Sequence, residues 1–144
     1  MAELNKAACE AMVEVGVNAA TDVTGFGLLG HLHEMAKASG CAATVELGSV
    51  PLFERAYEFA EAKIAPGRTA EIVAWADEFA LWCHAGERDV WMRVLCDPQT
   101  SGGLLIAVDA EDAHTLQVEL EVHGARASRI GRFSSGEPGS VTVE

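Results

Sequence analysis

The stretch Thr21-Asp22-Val23-Thr24-Gly25-Phe26-Gly27-Leu28-Leu29-Gly30 constrains this chain more than any other part of it. It sets one carboxylate, two hydroxyls and three glycines in a short turn, directly ahead of a helix expected from about Leu28. Glycine admits backbone angles that a Cβ forbids and lets a ligand approach the main chain. The helix that follows leaves its first N–H groups unpaired and directed back at the turn. A phosphate or a metal–phosphate complex suits such a turn. A plain strand-to-helix turn capped by Asp22 or Thr24 is the other reading of the same residues.

The surrounding pattern alternates helices and strands. Leu4, Ala8, Ala11, Met12 and Val15 recur at helical spacing, and Gly16 stands where a helix stop belongs. A helix so close to Met1 has nothing upstream to pack on, which points to Met1 as the start of a fragment. Val17 to Val23 is expected to be extended, and Leu28 to Ser39 to be helical, with Leu28, Leu29, Leu32, Met35 and Ala36 on one face. His31 and His33, two apart, fall on different faces and make a poor metal pair; both read as surface or partly packed. Ala42 to Leu47 reads as a strand. Leu52 to Lys63 reads as a helix with Phe53, Ala56, Tyr57 and Ala60 in the core, and Ala70 to Trp82 as another in which Trp75 and Trp82 pack. Arg88 to Cys96 is an amphipathic helix or strand. Leu104 to Val108 reads as a strand, Glu111 to His123 as a helix capped by Asp109 and closed by Gly124, and Ala127 to Phe133 and Val141 to Val143 as further strands. Without repeats or linkers, this predicts one α/β (α+β sandwich) domain over residues 1–144, with an approximately four-stranded mixed sheet and helices packed on it.

Charge narrows the partners. The formal net charge is −12 and the ten Lys and Arg are scattered, so a nucleic-acid face is not expected. An anionic ligand has to be held through a metal ion, through backbone N–H groups, or by basic residues from elsewhere. Cys9, Cys41, Cys83 and Cys96 lie far apart with no CxxC pair, which predicts reduced, mostly buried thiols in a cytoplasmic protein and no structural zinc. No apolar run reaches the roughly 18 residues of a membrane span.

Gly25-Phe26-Gly27-Leu28-Leu29-Gly30 satisfies GxGxxG, and Glu46 follows at the distance a dinucleotide site uses. The context argues against it, because Thr-Asp-Val-Thr is not the continuous apolar strand that opens a dinucleotide fold and a helix stands before it. A second informative stretch, Asp97-Pro98-Gln99-Thr100-Ser101-Gly102-Gly103, is either a turn capped by Asp97 or the polar lining of a nucleotide or substrate channel. There is no GxxxxGK[ST] loop and no nucleophile–base spacing.

Together, Ala20 to Leu32 and Leu95 to Val108 resemble the C-terminal domain of the selenophosphate synthetase (selenide, water dikinase) family, within the aminoimidazole ribonucleotide (AIR) synthetase superfamily. Asn5-Lys6-Ala7-Ala8, Gly30-His31-Leu32, Glu34-Met35 and Arg129-Ile130-Gly131 fall in the order that family shows, so the resemblance covers about residues 4 to 133. It implies an AIR synthase C-terminal-like fold and an ATP-dependent enzyme that converts selenide, ATP and water to selenophosphate, AMP and orthophosphate. It assigns Asp22 to Mg²⁺ on the ATP phosphates, and Thr21, Thr24, Gly25 and Gly27 to the wall of the ATP pocket. A hard carboxylate suits Mg²⁺. The resemblance also implies a homodimer, and places the nucleophilic Cys or selenocysteine, its Lys and the glycine-rich segment in an N-terminal domain that this sequence lacks; alone, the chain is expected to be inactive. It gives no residue-level role to Asp97–Gly103. Where the family has Pro-Gly-Gly-Thr followed by Asn, this chain has Pro66-Gly67-Arg68-Thr69-Ala70-Glu71, which puts the role of that loop in doubt. A non-catalytic module for partner binding or oligomerisation is the alternative, and a dinucleotide binder through Gly25, Gly27 and Gly30 the remaining one.

Overall fold

The computed structural model describes residues 5–83 and 86–144. The elements run α1 (Lys6–Val15), β1 (Ala19–Asp22), α2 (Gly27–Ala38), β2 (Ala42–Val45), α3 (Ala56–Glu61), α4 (Thr69–Ala76), β3 (Ala80–Trp82), α5 (Arg88–Leu95), β4 (Leu104–Ala107), α6 (Ala113–Val122), β5 (Gly131–Ser134) and β6 (Val141–Val143). Gly16 ends α1 at φ +81, its N–H on Met12 O at 3.0 Å, as a glycine stop should. The strands form a four-stranded mixed sheet in the order β3-β6-β2-β5 and a separate two-stranded ribbon of β1 and β4. In the mixed sheet β2 runs parallel to β6 and antiparallel to β5, while β3 runs parallel to β6.

Two cores result. The larger is built around α2, whose Leu29, Leu32, Met35 and Ala36 meet Ala43 and Val45 of β2, Val141 and Val143 of β6, Ile72 and Ala76 of α4, and Met92 and Leu95 of α5. Each fully buried large side chain, such as Leu29 or Leu95, contributes about 1.5–3 kcal/mol of transfer free energy. The smaller core joins α1 to α6 through Ala11, Leu116 and Leu120, with Ile106 of β4 packed against it. The ribbon therefore lies between the two cores: Leu105 faces the larger and Ile106 the smaller.

The structure corrects several sequence expectations. The helix expected to reach Trp82 stops at Ala76, and Ala80–Trp82 becomes edge strand β3, because pairing with Val141–Val143 supplies a backbone ladder that a longer helix would forfeit. The helix expected from Leu52 begins only at Ala56, since Arg55 takes a left-handed φ of +64; Phe53 is 80% exposed and outside the core. Tyr57 is half-buried against Trp91. The last two strands flank a turn, but β5 starts at Gly131 instead of Ala127. The Asp109 carboxylate does not cap α6; it accepts Asn18 Nδ2 at 2.9 Å. Cys9 and Cys83 are exposed, Cys41 is half-buried and Cys96 is buried; all four are free thiols. Leu4 lies outside the described residues. Among the described residues no helix is long and apolar enough to cross a membrane.

Candidate functional site

The two polar stretches, distant in sequence, meet in one backbone network. Asp22 pairs with Leu104 at the end of the ribbon. Beyond it Val23 N–H donates to Gly103 O (2.9 Å), Gly102 N–H to Val23 O (3.0 Å) and Gln99 N–H to Thr24 O (3.0 Å). The loop Asp97–Gly103 is thus the scaffold of the Thr21–Gly27 turn. A Cβ at Gly102 would stand 2.8 Å from Val23 O, so the close approach needs glycine there. The Asp97 carboxylate caps no helix. It accepts Gln99 Nε2, and burial pushes its pKa up while that hydrogen bond opposes the shift.

The turn itself is fixed by its glycines for separate reasons. Gly27 has φ +66, and a Cβ on it would meet the Cys96 carbonyl carbon and Leu95 O at 2.7 Å, so the start of α2 sits directly on the end of α5. Gly30 lies under Trp75, whose ring would be 2.8 Å from an added Cβ. Gly25 carries no such demand: a Cβ there would be 3.9 Å from an Arg68 guanidinium nitrogen, an ordinary contact. The GxGxxG spacing therefore reflects packing of α2 on α5 and α4. The dinucleotide reading also fails on topology, because β1 pairs antiparallel with β4 in a two-stranded ribbon and not within a parallel sheet.

Asp22 is exposed at the strand end, and its carboxylate has no side-chain partner among the described residues. Thr21 is half-buried, with its hydroxyl on Asp22 O at 3.3 Å. Thr24 does not cap α2; its Oγ1 shares a 3.2 Å hydrogen bond with His31 Nε2, which ties the turn to the first turn of the helix. Gly27 N–H bonds Thr24 O at 3.1 Å, leaving the Leu28 and Leu29 amides without a backbone acceptor among the described residues. His33, expected at the surface or partly packed, is buried: it stacks on Phe79 with centroids 3.9 Å apart and donates Nδ1–H to Gly139 O at 2.7 Å. Trp75 packs as expected, edge-on to His33 and Phe79.

Sequence reasoning missed Arg68. Its guanidinium lies 5.9 Å from the Phe26 ring centre and against Gly25, so the Pro66–Glu71 loop brings a cation to the turn. Among the described residues Asp22 belongs to no trio of adjacent metal-ligating side chains; the one such trio is Glu14, Glu119 and His123, on α1 and at the end of α6. The site can thus offer one anionic oxygen ligand, free helix-start amides and one guanidinium.

Comparison with known proteins gives the chain a family. The chain matches the AIR synthase related protein, C-terminal domain, over residues 1–144, and belongs to that family. Within it, the chain is similar to proteins named selenide, water dikinase. It is 42% identical over 151 residues to the one from Carboxydothermus hydrogenoformans, covering 100% of this chain and 41% of the relative. It is 47% identical over 136 residues to that of Caldanaerobacter subterraneus subsp. tengcongensis, covering 94% and 38%. The chain thus spans about two-fifths of the length of these relatives. Among solved structures, hydrogenase maturation protein HypE in complex with ATP aligns with TM-score 0.69 at 23% identity, over 99% of this chain and 37% of that one. Thiamine-monophosphate kinase from Stenotrophomonas maltophilia aligns with TM-score 0.57 at 20% identity, over 89% and 31%. At these identities the two likenesses speak for the fold alone.

Proposed function

We propose that this chain acts as the C-terminal domain of a selenophosphate synthetase and lends Asp22 to a Mg-ATP site completed by a further domain. The observation that carries the reading is the exposed Asp22 carboxylate, without a side-chain partner among the described residues, held at the end of β1 by a backbone network to Asp97–Gly103 and set ahead of the first amides of α2. A hard, unpartnered carboxylate fits Mg²⁺ as one oxygen ligand among several. Held there, Mg²⁺ would supply charge neutralisation for phosphoryl transfer.

The chain's own residues then position. Asp22 holds its oxygen at a fixed strand end, and the hydroxyl of Thr21 anchors the adjacent carbonyl. Thr24, bonded to His31, and the backbone of Gly25 and Gly27 form the wall toward the phosphates, with Arg68 as a neighbouring cation. No nucleophile is assigned here, and the isolated chain is inactive in this reading, because the remaining magnesium ligands and the group that receives selenide lie in the other domain. Calorimetric titration of the chain with Mg-ATP tests the local claim. Weak, magnesium-dependent binding that disappears in Asp22→Ala agrees with it; equal binding by both proteins contradicts it.

A second reading, assembly through an apolar face, is favoured by Phe53 and Ile64, which are 80% and 64% exposed around α3. A homodimer formed there would be visible by sedimentation and would dissociate in Phe53→Asp. A monomer at all concentrations would remove this reading.

A further inference from the structure

A cleft of about 340 Å³ opens between α4 and α5 beneath the Pro66–Thr69 loop. Three of the chain's ten basic residues, Lys63, Arg88 and Arg93, line it against a single carboxylate, Asp89. In a protein of net charge −12 such a concentration of cations marks a local positive field. Both guanidinium groups are held in place. Arg88 pairs with Asp77, lies 3.9 Å from Asp89, and sits over Trp82 with 5.7 Å to the ring centre; Arg93 donates to Ala60 O at 3.3 Å. Each guanidinium keeps further N–H donors free. Lys63 makes no ion pair among the described residues.

Two further donors belong to the residues of its wall. Thr69, the first residue of the eight-residue α4, lines the cleft and is only 3% exposed, yet its Oγ1 is buried without a hydrogen-bond partner. Buried hydroxyls are seldom left unpaired, because desolvation without a partner is unfavourable. The Thr69 amide bonds Pro66 O at 3.1 Å, and the Glu71 and Ile72 amides bond Arg68 O at 3.1 and 3.2 Å. The Ala70 amide, also in the cleft wall, has no backbone acceptor among the described residues. Helix-start amides, an orphan hydroxyl and fixed guanidinium groups are together the donor set of a phosphate site. Val73 and the buried Met92 add an apolar wall beside it.

We propose that this cleft binds a phosphate group, held by Lys63, Arg88, Arg93, Thr69 Oγ1 and the Ala70 amide. The group is carried either by a small phosphate ester, whose organic part rests on Val73 and Met92, or by free orthophosphate. The site needs no metal ion and stands apart from the reading of Asp22 as a magnesium ligand.

Titration of the 144-residue chain with inorganic phosphate and, separately, with AMP tests it, by calorimetry with a chelator present and ionic strength held with chloride. Saturable binding is expected. It should weaken about fivefold in Lys63→Gln and about tenfold in Thr69→Val, the scale of one charge-assisted hydrogen bond, and stay unchanged in Lys6→Gln on α1. Tighter binding of AMP than of phosphate identifies an ester as the occupant; equal binding identifies the free ion. Thr69→Val keeps the side-chain shape, and should it nonetheless unfold, the exposed Lys63→Gln still decides. Absence of saturable binding by either probe, or affinities unchanged in both variants, overturns the proposal. Loss of binding in Asp22→Ala would move the ion to the strand end and overturn it equally.

Discussion

At Gly27 a left-handed φ of +66 coincides with a backbone contact that leaves no room for a Cβ, so the start of α2 can rest directly on the Leu95–Cys96 peptide. Gly27→Ala should therefore lower stability by about 3 kcal/mol, combining left-handed strain with overpacking; urea unfolding measures it. Gly25→Ala, free of both effects, should change stability little. Thr69→Val should raise the stability of the ligand-free chain by about 1 kcal/mol, since it replaces an unpartnered buried hydroxyl by a methyl. Cys96 gives a pH signature: burial, reinforced by Asp77, pushes its thiol from an ordinary 9.0 up to about 12. Below 9 the thiol is protonated in both states and its contribution is fully present. Between about 9 and 12 only the unfolded chain ionises, so stability falls as pH rises. The difference between wild type and Cys96→Ala in alkaline urea titrations should show that loss. At this scale the sequence was legible where chemistry is local: Asp22 and the glycines stand out by type and order. Thr69 and Lys63 did not, because a cluster drawn from the turn after α3, from α4 and from α5 leaves no spacing signal.

Among the elements, the helices with a continuous apolar face were foreseeable, and α1, α2 and α6 lie close to where their periodicity puts them. The failures share a cause. Ala80–Trp82 is apolar enough to extend a helix, and only its pairing with the distant Val141–Val143 makes it a strand. Residue Arg55 carries a positive φ that no residue type announces, and it cuts α3 short. The separation of β1 and β4 from the main sheet was equally invisible, since pairing partners far apart in sequence are set by tertiary packing. The pairing of β5 with β2 makes a test at this scale. A Cβ at Gly131 would strike Thr44 O on β2, whereas one at Gly48 meets nothing within 4 Å. Gly131→Ala should cost about 2 kcal/mol more than Gly48→Ala in urea unfolding. Equal losses would mean that β5 does not lie against β2 as closely as described.

For the molecule as a whole, the exposed Asp22 carboxylate and the Leu28 and Leu29 amides, without partners among the described residues, are what support the proposed share in a Mg-ATP site. The relatives to which the chain is similar are more than twice its length, so the partner half of such a site has room to lie outside it. The most direct measurement joins the chain to the remaining segment of a selenide, water dikinase relative and follows selenide-dependent release of AMP and phosphate from ATP. The chain alone should show no turnover, the joined protein should be active, and Asp22→Asn should reduce that activity by about 100-fold or more, as removal of one charge-stabilising group does. Turnover by the chain alone, or full activity in the joined Asp22→Asn protein, would contradict the role given to Asp22.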